Sequence, residues 1–331
     1  MNYYIESFTS DPCRNLALEQ FIFDFLDHRH SYFMLWQNHN SIIVGKHQNT
    51  IAEINPAFVN AHNISVVRRL SGGGAVYHDL GNVNFTFITG AGRKKTIDFA
   101  AFCQPIQKAL LSFGIPVEIS GRNDMTVEGK KISGNAQYIK QDRIMHHGTI
   151  LYDSNLNVLS KALNPTDDKI ESKGIKSIQS RVTNIRPYMK TDMPVNEFRI
   201  VLKNHLLNAL NMKEYSLNKE QETAIDELKQ NVYSQWSWNY GNSPPFTIRK
   251  IRRLEGCGQI EVLLDIAKEG IIKNIAFYGD FFGSKDLEEL KEIFRGHRFE
   301  YNEINCLLNS VSINEYIHAL DNENFMALLF E

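Results

Sequence analysis

The stretch from Val66 to Asp79 constrains this chain more than any other. An apolar run ends in Arg68-Arg69, Ser71 and three glycines follow at Gly72-Gly73-Gly74, and a second apolar run closes on His78-Asp79. Three successive residues without a Cβ let the backbone bend against a ligand with its N–H groups bare. A guanidinium held beside such N–H groups makes a place for a phosphate or a carboxylate. A glycine triplet by itself suits a ligand-free surface loop between two strands equally well. The flanking arginines and a second polar cluster favour a ligand site.

Bulk properties narrow the classes. A chain of 331 residues exceeds the usual single-domain size, so one large domain with a smaller one is expected. The 36 basic residues are balanced by 38 acidic ones, which leaves no overall attraction to nucleic acid or to an anionic membrane. Any anion site must then be a local patch. No apolar run reaches the length of a membrane span, and Met1 to Asn15 lacks the basic-then-apolar plan of a secretory leader. Cys13, Cys103, Cys257 and Cys306 are far apart with no CxxC spacing. Free thiols in a reducing cytoplasm are expected, rather than a disulfide framework or a zinc site.

Periodicity gives a coarse plan. Residues 11–27 read as a helix capped by Asp11, with Leu18, Phe21, Ile22, Phe25 and Leu26 as its apolar stripe. Strands are expected at 32–36, 42–45, 66–70 and 83–89, a short helix at Asn55-Pro56, and a second amphipathic helix over 96–113. Short strands joined by turns fill 117–152, and helices return at 196–210 and 219–232. Tyr240 to Pro245 (YGNSPP) continues neither helix nor sheet. It divides an expected catalytic domain, 1–243, from an α+β module, 246–331, that carries no motif with assignable chemistry.

The second polar cluster runs from Gly121-Arg122-Asn123-Asp124 to Lys131-Ile132-Ser133-Gly134-Asn135-Ala136. On a regular strand, Lys131, Ser133 and Asn135 share one face and offer a cation, a hydroxyl and an amide. An ordinary solvated hairpin lysine has the same spacing. In Met145–Leu151, adjacent His146 and His147 face opposite ways, so they cannot share a metal, and at least one is expected to be a buried, hydrogen-bonded histidine. Between Lys169 and Lys190 lie six basic residues and one acid, which suits either a lid over phosphates or a solvated basic loop. Together these parts suit activation of a carboxylic acid by a nucleotide, because cations must hold two mutually repelling anions together. No GxxxxGK[ST] and no strand-linked GxGxxG is present, so P-loop and Rossmann sites are disfavoured.

Arg68 to Asn82 matches RRxSGGGAVxHDLGN without a gap, and Lys131 to Ala136 matches KxSGxA, with GRND before it and HHGT at His146–Thr149. With the Trp236–Gly241 segment and the C-terminal module, these motifs resemble the two-domain lipoate–protein ligases over nearly the whole chain. The resemblance implies an α/β (α+β) fold: a catalytic domain like those of biotin ligases and class II synthetases, with a mixed sheet flanked by helices, plus a small accessory domain. It implies a ligase that uses MgATP to convert lipoate to lipoyl-AMP and then passes the lipoyl group to a lysine of an apo lipoyl domain. Acceptors would be the E2 subunits of 2-oxoacid dehydrogenases and the glycine-cleavage H protein, in a salvage of free lipoate, with octanoate bound more weakly.

By position, Lys131 would touch both the lipoyl carbonyl and the phosphate. Arg69, Ser71, Gly72, Gly73, Gly74, Ala75, Val76 and Tyr77 would form the loop over the lipoyl group and part of the ATP site. His78, Asn82, Asp124, Ser133, His147 and Thr149 would complete the substrate pocket. Lys173, Gly174, Lys176 and Arg181 would belong to a loop covering the adenylate. Ligands for the metal are not identified by the sequence. The alternative is an octanoyl or lipoyl transferase of the same fold, which needs a cysteine at the pocket. Cys103 instead falls inside the expected 96–113 helix, as a packing residue.

Overall fold

The computed structural model describes every residue except 49, 92–97, 121–123, 164–180, 242–245, 256, 280 and 282–284. The chain folds into two compact units, one of Met1–Lys46 with Ile64–Gln235 and one of His47–Asn63 with Trp236–Glu331.

The first unit is built on an eight-stranded mixed sheet. Its strands are β1 (Asn2–Tyr4), β2 (Ser31–Trp36), β6 (Asn82–Gly90), β7 (Val117–Ser120), β8 (Asp124–Val127), β9 (Lys130–Lys140), β10 (Arg143–Leu151) and β11 (Met212–Glu214), in the order β11-β1-β2-β6-β10-β9-β8-β7. The β11-β1-β2 edge is parallel and the rest antiparallel. A three-stranded sheet, β3 (Ser41–Val44), β4 (Ser65–Arg68) and β5 (Val76–His78), carries the glycine triplet between its last two strands.

Helix α1 (Pro12–Phe25) begins as its sequence dictates. Asp11 accepts from the N–H groups of Cys13 and Arg14, and Pro12, which has no N–H to satisfy, opens the first turn. Leu16, Leu18, Phe21 and Ile22 are buried along it, together with Asn15 and Glu19. Helix α4 (Phe99–Ser112) and α6 (Val195–Ala209) cover the sheet's opposite face. Phe198, Leu202 and Leu206, one turn apart on α6, are fully buried, each stabilising by ~2 kcal/mol. The short α5 (Leu156–Ala162) and α7 (Lys219–Leu228) complete this unit.

The second unit has an antiparallel sheet of β12 (Phe246–Leu254), β13 (Gly258–Ile266) and β14 (Ile272–Gly279), with helices α8 (Leu287–Phe294), α9 (Tyr301–Leu308) and α10 (Asn322–Phe330). It also takes α2 (Thr50–Glu53) and α3 (Pro56–Ala61) from the first half of the chain. Ile51 packs on its core, α3 packs on α9 and α10, and Thr50 Oγ1 donates to the Asn239 carbonyl at 2.6 Å. Sequence reading placed this insertion in the catalytic domain and the division at 240–245. The unit instead begins at Trp236, whose ring stacks on Tyr240 at 5.7 Å and carries the Arg298 guanidinium 4.2 Å above it. Among the described residues, no helix is long and apolar enough to cross a membrane.

Candidate active site

The glycine loop is shaped by Arg69 rather than left free. Its Nη1 donates to the Ile43 carbonyl at 3.0 Å, its Nη2 to the Gly72 and Gly74 carbonyls at 2.7 and 2.8 Å, and its Nε to Ser71 Oγ at 3.0 Å. Gly73 has φ +91°, open to glycine at little cost, and a Cβ on Gly45 would lie 2.1 Å from the Gly73 carbonyl oxygen. Arg68 is wholly buried and bonds the carbonyls of Gly45 and Lys46 at 2.9 and 3.0 Å. Burial lowers both guanidinium pKa values to about 10, so both remain cationic near neutral pH.

Beneath this loop a cavity of about 300 Å³ opens over the main sheet. Its floor is a row of residues across the strands: Trp36 of β2 faces Asn84 of β6, and Asn84 faces Thr149 of β10. Thr149 Oγ1 accepts from the Gly134 N–H of β9 at 3.1 Å, and Asp124 of β8 lies opposite Gly134. Thr86, His147 and Ala136 form the next row. Gly73 to Val76 and His78 close the cavity from the loop side, with Leu16 and Ile43 as apolar walls. The lining therefore mixes polar and apolar groups.

Lys131 reaches the cavity by a register slip. Met125 pairs with Ser133 but Thr126 pairs with Lys131, so β9 holds one extra residue there. Such a bulge reverses the alternation of side chains. Lys131 thus shares the cavity face with Gly134 and Ala136. Ser133 is absent from that face, and Asn135, although it borders the cavity, bonds Ser133 and His146 through its side chain. Its Nζ lies 2.7 Å from Asp124 Oδ1, with the side chains 38% and 34% exposed, so the ion pair stays open to an incoming anion. Its carbonyl accepts from the Thr183 N–H at 2.9 Å. Val182 and Thr183 are thereby tied to this strand. Arg181 is exposed just before them, whereas Lys173, Gly174 and Lys176 lie outside the described residues.

Several residues expected in the pocket instead support it. Ser133 is fully buried and accepts from the Asn135 amide at 3.2 Å. Tyr77 alternates away from Val76 and His78, and its hydroxyl donates to Asn40 Oδ1 at 2.9 Å. Burial raises that phenol to about 12. Asn82 is buried and donates to Asn84 Oδ1 at 2.8 Å. Gly72 offers its carbonyl to Arg69, and Ser71, 1% exposed, sits between Arg69 and His147.

His147 joins a directed chain of hydrogen bonds that sequence reading missed. Trp36 Nε1 donates to Thr86 Oγ1 at 2.9 Å, and Thr86 Oγ1 donates to Glu19 Oε1 at 2.7 Å. Glu19 Oε1 also lies 2.8 Å from His147 Nδ1, and His147 Nε2 shares a hydrogen bond of 2.6 Å with Ser71 Oγ. The signal was present: Glu19 stands four residues after Asn15 and three before Ile22, an acid on the buried stripe of α1. His146 points to the far side as expected. It is fully buried, bonded to Gln137 at 2.9 Å and stacked on Phe102 at 5.0 Å, and burial, aided by His147, lowers its pKa to about 3. Cys103 lies beside it, 3.9 Å from His146 Nε2, its thiol raised to about 12 by burial. Among the described residues no cysteine lines the cavity, so the transferase alternative lacks its thiolate nucleophile.

Comparison with known proteins adds an independent line. Family models described as the lipoyl protein ligase A/B catalytic domain and the bacterial lipoate protein ligase C-terminus match residues 11–207 and 243–329. The lipoate-protein ligase LplJ of Bacillus subtilis is 42% identical over 97% of this chain and 97% of its own length. A crystal structure of P. falciparum LipL1 in complex with lipoate superposes with TM-score 0.61 at 26% identity, covering 99% of this chain and 97% of that one. A bipartite lipoate protein ligase from Thermoplasma acidophilum, described with its E2 lipoyl domain, gives TM-score 0.63 at 25% identity over 73% of this chain and 96% of that one.

Proposed function

The chain belongs to the lipoyl protein ligase A/B family of lipoate–protein ligases, and from that premise we propose that it activates lipoate with ATP and passes the lipoyl group to a lysine of an apo lipoyl domain. The observation that carries this reading is Lys131, which lines one end of the cavity under the glycine loop and pairs with Asp124.

In the first step a lipoate carboxylate oxygen attacks the α-phosphorus of ATP. The bond to the β-phosphate breaks, giving lipoyl-AMP and pyrophosphate. Lys131 lies between the two anions and offsets their repulsion, a contact worth ~4 kcal/mol at 4 Å and an effective dielectric near 20. A Cβ on Gly74 would meet nothing within 4 Å, so the loop backbone stands clear for the nucleotide's phosphates. Magnesium belongs with those phosphates. Among the described residues no group of three histidine, cysteine or carboxylate side chains is placed to hold a metal, so it is assigned no protein ligands.

In the second step the acceptor lysine's amine attacks the lipoyl carbonyl. An amide forms, the C–O bond to AMP breaks, and the amine's proton passes to Asp124, the carboxylate beside Lys131. The acyl chain runs from Lys131 along the floor row toward Leu16, Trp36 and Ile43. Acceptors are lipoyl domains of 2-oxoacid dehydrogenase E2 subunits and the glycine-cleavage H protein, in a cytoplasmic salvage of free lipoate. The test is the intact mass of a purified apo lipoyl domain incubated with the protein, lipoate and ATP. A lipoyl adduct that requires both small molecules is expected; an unmodified acceptor, or an adduct formed without ATP, contradicts the reading.

A further inference from the structure

Resting on that reading, we propose that His78 sets the preference for a sulfur-bearing acyl tail over a plain hydrocarbon one, by offering an Nε2–H donor to a dithiolane sulfur. The tautomer follows from the hydrogen bonds behind the ring. The Asn15 amide nitrogen donates to the carbonyls of Thr9 and Gln37, which fixes which way that amide points. Its oxygen accordingly accepts from Ser7 Oγ. The same nitrogen lies 2.9 Å from Asn38 Oδ1, its two hydrogens shared among three acceptors, and Asn38 Nδ2 faces His78 Nδ1 at 3.1 Å.

Asn84 also faces that ring nitrogen. Its oxygen accepts from Asn82 and its Nδ2 lies 3.5 Å from His78 Nδ1. An imidazole nitrogen approached by two N–H groups is an acceptor, so the ring's proton is on Nε2. Burial, with Arg69 and His147 nearby, keeps the ring neutral. His78 Nε2 has no partner among the described residues, although the ring is 3% exposed and belongs to the cavity wall. A buried donor without an acceptor is a standing penalty that a fitting ligand removes.

The ligand group that reaches this donor follows from the row of strands. Lys131 on β9 and Trp36 on β2 are three strand spacings apart, about 14 Å. His78 packs edge-on against Trp36, ring centroids 6.0 Å apart, so it stands at the end remote from the carboxylate. The apolar walls Leu16 and Ile43 line this cavity too. A ring sulfur is a weak acceptor, whereas a methylene is none and leaves the donor orphaned. The expected effect is therefore modest, on the order of fivefold.

The experiment compares lipoate with 5-cyclopentylpentanoate, which keeps the five-membered ring and replaces both sulfurs with carbon, as substrates for modification of an apo lipoyl domain. For the unaltered protein, kcat/KM should favour lipoate about fivefold, mainly through KM. His78→Leu should bring the ratio close to one, and His78→Gln, which retains an N–H, should keep part of the preference. The ratio is taken within one protein, so a general loss of activity in a variant cancels. If His78→Leu fails to fold, the unaltered protein still decides. A ratio of one there, or a fivefold ratio that survives His78→Leu, overturns the proposal. Failure to transfer lipoate at all would instead overturn the ligase reading beneath it.

Discussion

At the scale of single residues, Arg69 and Lys131 divide the labour that the sequence motif appeared to pool. Arg69 is 5% exposed and gives three hydrogen bonds to the loop and a fourth to Ile43 of β3, so it braces the loop more than it meets an anion. Lys131, a third exposed, lining the cavity and paired with Asp124, is a cation open to an incoming anion. Removing the brace leaves the carbonyls of Ile43, Gly72 and Gly74 without a donor, at a cost of about 3 kcal/mol or more. Arg69→Ala should lower the urea midpoint accordingly, and Arg69→Lys should recover little, because a point ammonium cannot span the fork's acceptors. An Arg69→Ala protein of unchanged stability would show that the loop holds its shape unaided.

At the scale of elements, the regular features were legible and the irregular ones were not. Asp11-Pro12 announced α1, and strand-like runs announced β2, β6 and β10 within a residue or two of their ends. The bulge in β9 was not legible, because Ile132 suits a regular strand as well as a bulge, and the slip depends on pairing with β8. That single extra residue separated the expected face: Lys131 went to the cavity, Ser133 went behind it, and Asn135 borders the cavity with its amide bonded to Ser133. The insertion of α2 and α3 into the second unit was equally silent. Asn55-Pro56 marks a helix start, but which core Ile51 joins depends on contacts distant in sequence. Of the site, the glycine loop, Lys131, His78, His147 and Thr149 carried motif signals. Trp36, Asn84 and Thr86 carried none, being unremarkable strand residues until the sheet aligns them.

At the scale of the whole molecule, two buried neutral histidines tie stability to pH. His78 and His146 are both lowered to about 3 in the folded protein, chiefly by burial, against a usual value near 6.5 once unfolded. Between those values the unfolded chain binds protons that the folded one refuses, so stability is full above 6.5 and falls as pH drops toward 3. Each histidine costs about 1.4 kcal/mol per pH unit in that window. Urea unfolding at pH 7, 6, 5 and 4 should trace this decline, and His146→Phe should flatten it. A stability independent of pH over that range would mean that the rings are protonated where they lie.

Lys131 brings a fatty carboxylate and a nucleotide phosphate into one cavity in the proposed reaction. Lipoate-dependent exchange of labelled pyrophosphate into ATP, measured for the unaltered protein and for Lys131→Ala, tests this most directly, since it reads the activation step without an acceptor. Exchange in the first, and a loss of about a thousandfold or more in the second at an unchanged melting temperature, is the result expected. Undiminished exchange in the folded Lys131→Ala protein would contradict it.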